Sequence, residues 1–178
     1  MRGLTRYSLF PAAAAAWALA VVACGRAPAS APAPPEGAGA TPASAAAEPF
    51  VPGLGELMSL QQMRHVKLWL AGKAGNWKLA AYEVDELSEG FNDVIKLHPT
   101  HKDSPVAPKD AIPLMMTSPI DDLRQAVEKH DAKAFAEAYD ALTTACNSCH
   151  EATNFGFNHV QRPATNPYPN QVFEPEKQ

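Results

Sequence analysis

The residues best equipped for chemistry in this chain are Cys146-Asn147-Ser148-Cys149-His150. Two thiols stand three positions apart, and an imidazole follows directly. A Cys-x-x-Cys pair can close a disulfide in an oxidising compartment, cycle as a thioredoxin-like redox pair, or supply half of a zinc site. With histidine next in line, the pattern is that of haem c attachment. The spacing has a physical reason. Two thiols must reach two vinyl groups on one edge of a porphyrin, and the adjacent histidine can then turn under the ring to the iron. A thioredoxin-like pair needs a βαβ context, and no segment of the chain reads as alternating strand. A zinc site needs further strong ligands, and the third cysteine, Cys24, is far away in the sequence. The expected cofactor is therefore one covalent haem c, held by Cys146 and Cys149, with His150 as the proximal iron ligand.

These residues need helices to hold them. Hydrophobic spacing near 3.6 residues predicts four. The first runs from Leu54 to about Ala71, with Leu54, Leu57, Met58, Gln61, His65, Leu68 and Trp69 on one face. The second begins at the N-cap Asn76 and ends before Pro99. A long Pro-containing connection, Pro99 to Thr117, is expected next. Ser118-Pro119 then reads as an N-cap and first-turn proline, opening a third helix to about His130. Asp131 caps the fourth, which carries Phe135, Tyr139, Leu142, Cys146, Cys149 and His150 on its stripe. The expected fold class is all-α: an antiparallel four-helix bundle over residues 54–153. A disordered Ala/Pro-rich tether at 24–53 precedes it. An irregular tail at 154–178 follows, packed on the bundle.

A sixth iron ligand would come from the first helix. His65, at the centre of that stripe, is the first candidate and Met58, two turns earlier, the second. The bland alternative for His65 is a hydrogen-bonded core histidine. Met63 falls on another face, and Met115 and Met116 read as loop residues filling the core. Trp69 and Trp77 are expected to wall the haem pocket. His98, His101 and His159 are expected to be solvated.

The N-terminus explains Cys24. A basic start with Arg2 and Arg6 leads into an apolar run to Val22, the pattern of a secretory signal over residues 1–23. The segment Val21-Val22-Ala23-Cys24 resembles a bacterial lipoprotein cleavage signal, which implies lipidation of Cys24. An ordinary cleaved signal, or one uncleaved helix, is the alternative. The expected location is periplasmic, lipid-anchored to a bacterial membrane. Loss of Arg2 and Arg6 takes the net charge from −4 to −6. An acidic domain lacks the basic footprint of a nucleic-acid binder and suits encounter with basic redox proteins.

The segment His130-Asp131-Ala132-Lys133-Ala134-Phe135-Ala136-Glu137-Ala138-Tyr139-Asp140-Ala141-Leu142, leading to Cys146, resembles the last helix of the cytochrome c′ family. That family's haem motif also lies late in the last of four helices. The resemblance covers about residues 54–152 and implies a monohaem bundle; it also implies that a homodimer can form through the first two helices. The long loop, the Pro-rich tail and His65 depart from the family pattern. No Ser/His/Asp order, paired carboxylates or Gly-rich phosphate loop is evident, so an electron carrier is expected rather than an enzyme. A haem protein binding nitric oxide or carbon monoxide at an open sixth position is the rival. A haem-free structural or assembly lipoprotein is the second.

Overall fold

The computed structural model describes residues 49–177. The signal segment, Cys24 and the tether as far as residue 48 lie outside the described residues. Four helices make up the fold: α1 (Leu54–Lys73), α2 (Trp77–Leu97), α3 (Pro108–Glu128) and α4 (Ala132–Ala152). No strand occurs among the described residues. Each helix packs closely on the next in sequence, while α4 and α1 touch little.

The helix ends have local causes. Glu56 reaches back to the Gly53 amide at 2.8 Å and satisfies a donor at the start of α1. Gly75, at φ +73°, turns the chain out of α1 without a side-chain clash. Asn76 Oδ1 accepts from the Leu79 amide at 3.1 Å. Asp131 Oδ1 accepts from the amides of Lys133 and Ala134, both at 3.0 Å. Asn76 and Asp131 are therefore the caps that their residue types predict.

The start of α3 corrects the expectation of a helix opening at Ser118-Pro119. The helix opens eleven residues earlier, at Pro108, and both Pro113 and Pro119 lie inside it. Pro108 sits at N1, where a missing amide proton costs nothing. An interior proline removes a helix hydrogen bond, at about 3 kcal/mol each. Burial offsets this: Ala111, Ile112, Met116, Ile120, Leu123 and Val127 form one continuous buried stripe. A fully buried large apolar side chain contributes about 1.5–3 kcal/mol, so the stripe outweighs two prolines. Met115 and Met116 are accordingly helical, and the connection after α2 shrinks to residues 98–107.

The core runs the length of the bundle and includes Leu68, Val84, Val94, Leu123, Phe135, Tyr139 and Leu142. Gly72 lets α1 approach α4, because a Cβ there would collide with the Phe135 ring. One buried carboxyl interrupts the apolar surface. Glu83 on α2 is only 3% exposed, and burial pushes its carboxyl up to about 7 despite the nearby Lys67.

After α4 the chain is irregular and runs back over the bundle. The Arg162 guanidinium lies 4.0 Å over the Trp69 ring and pairs with Asp140 at 2.6 Å. Lys67 Nζ lies 5.3 Å over the Tyr168 ring, and Phe173 is buried.

Candidate cofactor site

The start of α1, the end of α2, the start of α3 and the end of α4 surround a cavity of about 510 Å3. That volume is in the range of small-molecule and cofactor sites. The Ala-rich sequence of α4 holds helix well, and its stripe carries the sequence motif to this end. Cys146, Cys149 and His150 all line the cavity. Cys146 and Cys149 are free thiols packed against the apolar core. Burial pushes the Cys146 thiol up to about 12 and raises that of Cys149 too.

His150 Nδ1 lies within hydrogen-bond distance of the Asn158 carbonyl, at 2.5 Å. A carbonyl only accepts, so Nδ1 carries the proton, and in the neutral ring the lone pair is on Nε2. Metal-binding histidines are commonly oriented in this way, with the non-ligating nitrogen donating to a carbonyl. Two thiols and an imidazole on one wall of a cavity are the donor set that a covalently held haem would need.

The facing wall comes from α1, with Met58, Gln61, Gln62 and His65. Gln61 is pinned, its Nε2 donating to the Leu87 carbonyl at 2.8 Å and its Oε1 accepting from Arg64 at 2.8 Å. His65 is 3% exposed and occupied at both ring nitrogens. Nδ1 meets the Tyr139 hydroxyl at 2.9 Å, and Nε2 meets Thr143 Oγ1 at 2.8 Å. Its ring stacks on Tyr139 with centroids 4.5 Å apart. Burial lowers its pKa to about 4, so the ring is neutral at ordinary pH. Met58 also lines the cavity and is half-buried. Met116, from α3, lines it too.

Trp69 and Trp77 do not wall this cavity, a correction to their expected place. Trp69 packs on Phe135 and Tyr139, and Trp77 on His130 and Phe135, at the opposite end of the bundle. The reason is topological. In an antiparallel bundle the end of α1 and the start of α2 meet at the end remote from the C-terminus of α4.

Of the three histidines expected to be solvated, His98 and His101 need revision. His98 is half-buried, with Nε2 2.7 Å from the Pro52 carbonyl. His101 lines the cavity and meets Phe155 edge-on, while the exposed His159 borders it from the tail. Although four histidines and both thiols line the cavity, no cluster of three or more His, Cys, Asp or Glu among the described residues could hold a metal ion by itself. Sequence reasoning missed Asn147, Asn158, Tyr139 and Thr143 as site residues. Asn147 lies inside the motif but at a spacer position, which carries no signal. The others act through backbone or hydroxyl groups brought in by the fold.

Compared with known proteins, the chain matches no family model, no curated protein and no solved structure. Among the described residues no helix is long and apolar enough to cross a membrane.

Proposed function

We propose that the chain is an exported monohaem c-type cytochrome of the bundle type, resembling the cytochrome c′ family, that carries electrons and is not an enzyme. The observation that carries this reading is the common cavity of Cys146, Cys149 and His150, with Asn158 holding His150 Nδ1 and leaving Nε2 its lone pair. Bound haem supplies one-electron redox chemistry. Cys146 and Cys149 hold it, His150 takes the iron, and the apolar walls from Leu87, Phe91 and Ile112 exclude water. Such exclusion and the axial ligand set are the levers on potential. Cys24 supplies the lipid anchor in a periplasmic location, and the acidic surface receives a basic redox partner. A second copy would meet the outer faces of α1 and α2, where Leu60 and Tyr82 are exposed.

The test is the visible spectrum of the protein expressed with its signal in a bacterium that matures c-type cytochromes. A Soret band that stays with the chain through acid-acetone extraction is expected, because only thioether-linked haem survives it. A colourless protein, or Cys146 and Cys149 joined to each other, ends the proposal.

One observation favours the gas-binding reading. His65 can bind iron only by giving up its bond to Thr143 or Tyr139. Substitution His65→Ala is therefore expected to leave the iron's coordination unchanged. The Tyr139 hydroxyl keeps its bond to the backbone carbonyl of residue 65 at 2.9 Å, so the cost should be about 1–2 kcal/mol, for the two lost side-chain hydrogen bonds. A turn to high-spin iron on that substitution makes His65 the sixth ligand and supports the carrier. Prompt binding of carbon monoxide by the parent protein supports an open position. Its refusal, with His65→Ala silent, moves the ligand to Met58.

A further inference from the structure

The segment following α4 is tied to the haem motif at two points. Asn147, a spacer residue of Cys146-x-x-Cys149-His150, forms a closed pair of hydrogen bonds with the backbone of Val160. Its Nδ2 donates to the Val160 carbonyl and its Oδ1 accepts from the Val160 amide, both at 2.9 Å. This is the pairing that a neighbouring strand would offer, made here by one side chain. Two residues earlier in the same segment, the Asn158 carbonyl accepts from His150 Nδ1. Asn147 and His150 lie three apart, so they share a face of α4. One helical turn thus holds both ends of a short stretch of backbone.

We propose that Asn147 is a positioning residue. It anchors the strap from Asn154 to Val160, so that the Asn158 carbonyl stays on His150 and fixes the tautomer and orientation of its ring. The proposal rests on the reading of His150 as an iron ligand. Otherwise the strap's middle is held by a local turn, with the Asn158 amide donating to the Phe155 carbonyl at 2.8 Å, and by the edge contact of Phe155 with His101. Phe157, Asn158 and His159 are exposed, Phe157 by 79%. Asn154 reverses the chain at φ +65°. An exposed loop of this kind loses conformational entropy on ordering, and one hydrogen bond from His150 is too weak to hold it. The Asn147 pair supplies the missing constraint. Partners of metal-binding histidines are worth about 10–100-fold in metal affinity or activity. With haem held by two covalent bonds, their loss shows on the imidazole rather than in haem content.

The experiment compares the full-length exported protein with Asn147→Ala and Asn147→Asp, the latter keeping the acceptor and losing the donor. Haem content is read after acid-acetone extraction. Exchange of the His150 Nδ1 proton is read by proton NMR, and clipping of the strap by thermolysin near Phe157 by mass spectrometry. Asn147→Ala is expected to keep its covalent haem, to exchange that proton about tenfold faster or more, and to be clipped correspondingly faster. Asn147→Asp should fall between. Unchanged proton exchange in haem-loaded Asn147→Ala overturns the proposal, even if clipping accelerates, because the strap is then anchored without positioning the ring. Parent protein without thioether-linked haem overturns the reading of the site itself, and this result is visible before any variant is compared.

Discussion

The two ends of the bundle are built from the same four helices and are packed in opposite ways. At one end Trp69, Trp77, Phe135 and Tyr139 interlock, with ring centroids 5.0–6.2 Å apart. Gly72 removes even a methyl group from the contact with Phe135. At the other end the helices leave about 510 Å3 between them. Protein interiors are normally close-packed, with few voids larger than a water molecule. The closed end therefore behaves as the structural anchor, and it lets the cavity end be shaped for a bound group. His65 and Tyr139 mark the boundary. His65 lines the cavity, Tyr139 stacks on both His65 and Trp69, and their hydrogen bond joins α1 to α4, which otherwise touch little.

This contrast can be broken most readily at Phe135. Phe135→Ala is expected to cost about 3–5 kcal/mol, seen as a fall in the thermal or denaturant midpoint. On the proposed haem reading, the Soret band of the folded fraction should be unchanged. A shifted Soret band would show that the aromatic end also shapes the haem surroundings. A smaller effect is expected between the ends, at Glu83. Its folded pKa of about 7 lies above the ordinary value of 4.5. The folded state therefore holds the proton more tightly. Stability is full below about pH 4.5, falls as pH rises to 7, and is flat beyond. Glu83→Gln should remove that fall and raise stability at pH 8 by about 1–2 kcal/mol, after discount for the screening charges of Lys67 and Arg64. Equal midpoints for parent and variant at pH 8 would remove the carboxyl from the account. The smallest stability effect belongs to Met58. It already borders the cavity, so Met58→Ala should cost under about 1 kcal/mol, far less than truncation at the closed end. A loss comparable with that of Phe135→Ala would mean that the cavity end is packed as tightly as the other.

What could be seen in the chain beforehand was what depends on near neighbours. The caps Asn76 and Asp131 act on amides two or three residues away. The stripe on α4 placed Phe135, Tyr139, Leu142 and the motif on one face by periodicity alone. The start of α3 escaped because prolines speak locally against helix, while the burial of Ile112 and Met116 is a tertiary gain. Trp69 shares a face with His65 by periodicity. It lies one turn further toward the closed end, and that turn decides which neighbours it meets.

The order of residues by itself determined the donor set: two thiols and an imidazole within five positions of one helix, whose relative placement follows from helix geometry. It also determined four amphipathic segments and hence an all-helical bundle. The folded arrangement alone decided what those donors face. It brought Asn158 to His150, Val160 to Asn147, and Tyr139 and Thr143 to His65. The partners of His65 lie 74 and 78 residues away along the chain. Contacts across such separations depend on the axial register of whole helices. That register is set by the sum of many small packing energies over the core, and no single residue type announces it.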